Sequence, residues 1–317
     1  MKREFDCVVC GETCVDLTLC PVDRSIPLNV QGMQLVESIQ PGTGGIVPNS
    51  GLAMVRMGMT CAGFGCVGDD HWASLLIDRL SIAGMNTEHI ERVAGKSTSV
   101  TAILVDETGE HNFLFYPGAS AEFDADLIRR RFSLFERAEF AHFGYYGLFD
   151  QVAAELPALL QQIQQRGCRT ALDATAGGGT MQPLDRILPH LDLYVPSYEE
   201  AKSQTGCEDP QKMIRTFREC APQAILGVKL GADGALLSPA ADKWIEVAAI
   251  TPPGAVIDTT GAGDCFYAGL ICGLVRGMSI ADAGKLAAAA GACSVTRAGA
   301  TAGLPDFETL RMLAGIS

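Results

Sequence analysis

Basic residues are scarce in this chain. Lys and Arg together number 24 against 37 Asp and Glu in 317 residues, a formal net charge of −13. A surface of that sign repels phosphate backbones and anionic lipid, so no nucleic acid and no membrane is expected as a partner. Long apolar runs are missing too: no stretch approaches the ~20 residues a membrane helix needs. The start, Met1-Lys2-Arg3-Glu4-Phe5-Asp6, places two acids before the first apolar run and does not read as a signal peptide. His is rare, five residues, and none falls in an H-E-x-x-H or similar ligand pattern. Cysteine is not scarce. Without a secretory signal, a cytoplasmic location is expected and the 12 cysteines are expected to be free thiols. Cys7 and Cys10 form C-x-x-C inside a probable strand, where residues three apart face opposite sides and the thiols diverge. Cys61, Cys66, Cys168, Cys265, Cys272 and Cys293 sit among apolar neighbours, where a thiol behaves as a small hydrophobe.

What is present is an alternation of apolar β-prone runs and helical spacings. Strands are expected at 5–10, 61–67, 140–143, 170–173, 191–195 and 224–229. Helices are expected at 49–57, 72–82, 152–166, 265–275 and 279–296, the last opened by Ser279-x-x-Asp282 as a capping box. The alternation predicts an α/β chain with a mostly parallel sheet flanked by helices, as one large domain or two smaller ones. Two stretches break the rhythm. Residues 12–40, with Pro21, Pro27 and Gly32, carry short alternations. Residues 97–117 alternate more clearly about Glu107-Thr108-Gly109-Glu110, which reads as a hairpin turn. Both are expected to build a small β-lid inserted into the main domain.

The most informative motif is D-T-T-G-A-G-D, Asp258 to Asp264. Gly261, Ala262 and Gly263 carry almost no side-chain bulk, so their N–H groups and the following helix start can converge on an anion. A carboxylate at the mouth of such a site repels phosphate. It makes sense as a base that takes a proton from a hydroxyl attacking a phosphoryl group. The alternative for this motif alone is a Gly-rich turn with an Asp in the first helical turn.

D-T-T-G-A-G-D-x-x-x-A-G-L resembles the C-terminal signature of the phosphofructokinase-B family of carbohydrate kinases, the ribokinase-like sugar kinases. The resemblance runs nearly end to end through Gly11 to Asp16, Gly44 to Asn49 (G-G-I-V-P-N), Gly65 to Asp70, Phe115 to Ala119, Pro196 to Glu200, Lys229 to Gly234, and Ser294 to Ala300. It implies a ribokinase-like three-layer αβα sandwich with a β-lid, a single kinase domain over 1–317, and ATP-dependent transfer to a primary hydroxyl of a small carbohydrate. Asp264 is then the general base, with Gly261, Ala262 and Gly263 as the anion hole. The resemblance makes Asp16, Gly44, Gly45 and Asn49 sugar-binding, with Asn49 as an N-cap the alternative role. It makes Ser197, Lys229, Gly231 and Gly234 nucleotide-binding, and Glu200 the organiser of Mg²⁺-bound water. Ser197 and Glu200 also form a good capping box, and Lys229 to Gly234 also reads as a simple hairpin. Asp258, Thr260 and Gly299 fall where relatives hold a monovalent cation such as K⁺. The same likeness implies a homodimer through the lid. Three departures stand out. Ser197 replaces the usual Asn, Ala288 lies where relatives carry Asn or His near the base, and Ile46-Val47 replace the Lys-Gly of the ribose-specific pattern. The last counts against ribose. Rival readings are a nucleoside or vitamin-alcohol kinase of the same superfamily and a sugar-binding regulatory protein without turnover. A dinucleotide-dependent dehydrogenase is excluded, because Cys10-Gly11-Glu12-Thr13 is not G-x-G-x-x-G.

Overall fold

The computed structural model describes residues 3–26, 32–148, 150–174 and 179–316; Pro27 of the first lid segment lies outside them. Its strands are β1 (Phe5–Gly11), β2 (Cys14–Cys20), β3 (Ser38–Gly44), β4 (Cys61–Val67), β5 (Ile90–Arg92), β6 (Ser99–Val105), β7 (His111–Tyr116), β8 (Ala138–Gly144), β9 (Arg169–Asp173), β10 (Leu193–Tyr194), β11 (Ile225–Lys229), β12 (Ala235–Ala240) and β13 (Lys243–Val247). Nine of them form one sheet in the order β13-β12-β11-β10-β9-β8-β1-β4-β5. From β11 to β5 all pairings are parallel. At the far edge β12 and β13 add on antiparallel.

A sheet covered on both faces needs near-continuous apolar strands, and β1 and β4 supply them. Side chains alternate across β1, so Val8 and Cys10 enter one core while Cys7 and Val9 enter the other. The two thiols of C-x-x-C therefore diverge, and all 12 cysteines are free. One core is closed by helices Leu156–Gln165 and Pro210–Cys220. The other is closed by Ile46–Arg56, His71–Ile82, Ala262–Val275 and Ile280–Ser294. Helix Ala262–Val275 is apolar almost all round because it lies between the sheet and two other helices. Gly273 lets it approach the Ala-rich helix closely: a Cβ there would sit 2.6 Å from the Ala283 Cβ. Among the described residues no helix is long and apolar enough to cross a membrane.

The remaining strands form a second sheet in the order β3-β2-β6-β7. β2 and β6 pair in parallel, and the outer pairs are antiparallel. The β6–β7 turn falls on Glu107 to Glu110 as expected. The Asp106 carboxylate accepts from the Thr108 and Glu110 amides, and Gly109 has φ 87°.

Asp16 lies within β2 of the second sheet, inside the stretch 12–40 expected to build the lid. Two expectations need correction. The helix expected over 152–166 is broken into Asp150–Ala153 and Leu156–Gln165, because Pro157 has no N–H to continue the first piece. Asn49 is not an N-cap. The helix begins at Ile46 on Gly45, whose φ of 87° permits a turn that ordinary residues resist.

Candidate active site

Helix Ala262–Val275 starts on Gly261 in the left-handed conformation, φ 73°, with no side chain capping it. A Cβ at Gly261 would lie 2.3 Å from that of Ala300, so only glycine fits. The first helical bond is donated by the Cys265 amide to the Gly261 carbonyl, 2.9 Å. The amides ahead of Cys265 have no partner within the helix, and the Ala262 amide makes only a long contact, 3.3 Å, to Thr259 O. Asp264 sits in this first turn, 5% exposed. Its Oδ2 accepts two hydrogen bonds of 2.9 Å, from Asn49 Nδ2 and from the Tyr145 hydroxyl. Burial pushes the carboxyl up to about 6, opposed by these two hydrogen bonds and by the Lys229 charge.

The other residues expected to hold the acceptor gather around the start of helix Ile46–Arg56. Asp16 faces Gly44, and a Cβ on Gly44 would fall 2.2 Å from the Asp16 carboxylate. Gly44 is thus the space into which Asp16 folds. Burial pushes Asp16 up to about 6, against hydrogen bonds from Cys14 and Thr101. Gly45 packs on the Glu12 carbonyl, 2.5 Å from where its Cβ would be. Ile46 and Val47 are fully buried in the core beneath.

A further group of expected site residues sits at the ends of β9, β10 and β11. Ser197 caps helix Tyr198–Thr205, and the full capping box is present: the Ser197 hydroxyl accepts from the Glu200 amide, and Glu200 Oε2 accepts from the Ser197 amide at 2.8 Å. Lys229 ends β11 beside Ser197. Its Nζ pairs with Asp173 Oδ1 at 3.1 Å, both side chains nearly buried. The same Nζ lies 3.2 Å from where a Gly263 Cβ would be, against the helix start. Burial raises Asp173 well above the carboxylate range although Lys229 opposes it. Gly231 and Gly234 form the turn from β11 to β12, with φ 60° and 92°. Asp258 ties two loops together, accepting from the Thr260 amide at 2.9 Å and from the Gly299 amide at 2.8 Å.

The order of these segments along the chain is that of one protein family: the model for pfkB family carbohydrate kinases matches residues 4–306. The chain belongs to that family. A ribokinase of Haemophilus influenzae is 26% identical over 287 residues, 87% of this chain and 89% of the relative. An aminoimidazole riboside kinase of Salmonella typhimurium is 29% identical over 285 residues, 84% and 86% of the two chains. The structure of Arabidopsis thaliana ribokinase complexed with ribose and ATP superposes with a TM-score of 0.84 at 20% identity, covering 100% of both chains. The ribokinase-like fold expected from the sequence is therefore the observed one.

A kinase of this family implies ATP and Mg²⁺. Among the described residues no three His, Cys, Asp or Glu side chains gather into a metal cage. The donor set instead fits a Mg²⁺ held through phosphate oxygens and water. Glu200, Asp173 and Asp264 all act on Lys229, and Mg²⁺ characteristically keeps several waters. The expected site residues thus fall into four groups: Asp264 with Asn49, Asp16 with Gly44, Lys229 with Ser197 and Gly263, and Asp258 with Thr260 and Gly299. One participant was not singled out from the sequence: Asp173 stood there only as the end of the strand expected over 170–173. A carboxylate at the C-terminal end of a parallel strand was the available signal for Asp173.

Proposed function

We propose that this kinase transfers the γ-phosphoryl group of ATP to a primary hydroxyl of a small carbohydrate, with Asp264 as general base. The observation that carries the reading is the placement of Asp264: a buried carboxylate in the first turn of an uncapped helix, with one oxygen fixed by two donors. Gly261, Ala262 and Gly263 supply N–H groups for the charge that develops on the transferring group. The Lys229 ammonium beside Gly263 adds a fixed positive charge there. Asp16 accepts from sugar hydroxyls, and the glycines at 44 and 45 let the backbone come close. Ser197, Gly231 and Gly234 border the nucleotide. Glu200 would hold water of a bound Mg²⁺, which would supply positive charge to the phosphates. The Asp258, Thr260 and Gly299 loop is the place for K⁺. The β2-β3-β6-β7 sheet, with Asp16 on it, serves as a lid that excludes water, and the protein works in the cytoplasm as a homodimer through that sheet.

A nucleoside acceptor is the second reading, favoured by the 29% identity to the aminoimidazole riboside kinase. ADP release from Mg²⁺-ATP, measured across sugars and nucleosides, separates the two. Silence across the whole panel would favour a binding protein without turnover. Asp264→Asn keeps the shape and removes the base, so kcat is expected to fall by roughly 10²–10⁴ with ATP affinity little changed. Near-normal turnover in that variant removes Asp264 from the mechanism.

A further inference from the structure

Tyr145 follows β8 with a backbone φ of 61°, a conformation that side chains other than glycine seldom adopt. Such a conformation persists where the surroundings hold it at more than one point. Here both ends are tied. The Tyr145 amide donates to the Asp173 carbonyl at 3.1 Å, and its hydroxyl donates to Asp264 Oδ2 at 2.9 Å. Burial and the nearby Asp264 and Asp173 carboxylates raise the phenol well above its usual range, so it stays a donor. Asn49 Nδ2 donates to the same oxygen at 2.9 Å. No described residue donates to Oδ1.

We infer that Tyr145 is a positioning residue for phosphoryl transfer: with Asn49 it occupies Asp264 Oδ2, turns Oδ1 toward the acceptor, and stabilises the ionised form of the base. The inference rests on the reading of Asp264 as general base. In the step it serves, the acceptor O–H proton passes to Oδ1 as the acceptor oxygen forms its bond to the γ-phosphorus. The bond from that phosphorus to the β-phosphate bridging oxygen breaks, and ADP leaves with the electron pair. The acid form of Asp264 then returns its proton to solvent. The phenol keeps its own proton throughout. An amide alone could orient the carboxylate, but a second donor on the same oxygen fixes the carboxylate plane by two directions rather than one.

The charged groups that face Asp264 are Lys229, Glu200 and Asp173, and all of them remain in a Tyr145→Phe variant. That variant keeps the ring and the backbone, so any change in titration belongs to the lost hydroxyl. Losing a hydrogen bond to a charged group is expected to lower kcat by about tenfold or more, with the acceptor KM changed less than about twofold. The acid limb of kcat/KM is expected to move up by about one pH unit, because a donor that favoured the carboxylate is gone. The test compares wild type, Tyr145→Phe and Asp264→Asn, using the acceptor that gives turnover, with the thermal midpoint as a folding control. Carboxyl titration by ¹³C NMR of the free protein, labelled at Asp, gives a readout that needs no turnover. A carboxyl resonance that is absent from Asp264→Asn and titrates higher in Tyr145→Phe supports the inference. An unchanged limb and unchanged resonance in Tyr145→Phe overturns it while an inactive Asp264→Asn keeps the base. A rise confined to KM also overturns it, since the hydroxyl then serves the acceptor. Turnover surviving in Asp264→Asn removes the base reading and the inference with it.

Discussion

Two opposing forces meet at Asp264. Burial favours its neutral acid, while Asn49, Tyr145 and Lys229 favour the carboxylate, and the balance puts it at about 6. A base must be ionised, so the sign follows directly: activity is full above that value and falls as pH drops through it. The kcat/KM profile of the wild type is therefore expected to lose about tenfold per unit on its acid side below about 6. A profile flat down to pH 5 would contradict the role. The glycines and the acid of G-A-G-D were legible in the sequence because backbone freedom and charge are local properties. The partners of Asp264 were not. Asn49 is 215 residues away in sequence and Tyr145 is 119, and only the sheet brings the ends of β1, β8 and the two helices together. The pairing of Lys229 with Asp173 was hidden for the same reason.

Among the elements, β10 is the shortest central strand, only Leu193–Tyr194, yet it carries the turn that leads to Ser197 and Glu200. Tyr267, fully buried on the long helix, braces it. Its hydroxyl donates to Leu172 O at 2.6 Å and accepts from the Val195 amide at 3.0 Å, bridging the ends of β9 and β10. Tyr267→Phe would leave a buried carbonyl and a buried amide without that partner. It is expected to cost about 1–3 kcal/mol of stability, seen in chemical denaturation. A loss near zero would mean the two strands need no brace. The central strands were legible because a covered parallel sheet demands unbroken apolar runs, and five helical stretches because their faces and glycine stops are local; others, among them Pro210–Cys220, which closes one core, were not read. Three-residue β5 has too little pattern to be recognised. The start of helix Ile46–Arg56 was misplaced because Asn49 has the chemistry of a cap, whereas the real cap, Gly45, is chosen by backbone conformation. Pro157 interrupts a continuous helical spacing that hydrophobicity alone cannot break.

At the scale of the whole molecule, the second sheet does not bury both of its faces. Ile39, Phe113, Leu114, Phe115 and Tyr116 are all at least 40% exposed on it. Successive residues of β7 point to opposite faces, so both faces of this thin sheet carry exposed apolar side chains, and a second copy of the same sheet is the proposed cover. Light scattering across a dilution series is expected to show a dimer at micromolar protein. A monomer mass there would sink the proposal, and Phe113→Asp should weaken the dimer while leaving the nine-stranded sheet intact. The overall resistance of the fold to heat is limited by another feature. Asp70, Asp124, Thr180, Ser197, Asp209, Ser279 and Asp306 each cap a helix with a side chain, whereas the two helices that start at the site begin bare on Gly45 and Gly261. An engineer seeking thermostability through better caps could work at Arg131 and Glu155, which also start helices without a side-chain cap, but not by placing a side chain at Gly45 or Gly261. Either change would force a side chain into a left-handed backbone, and at Gly261 an Asp would also set a negative charge where the proposed function brings phosphate. Heat-resistant versions of this enzyme must therefore be sought in other caps, loops, the lid and the surface, because its two glycine helix starts are where durability and catalysis compete.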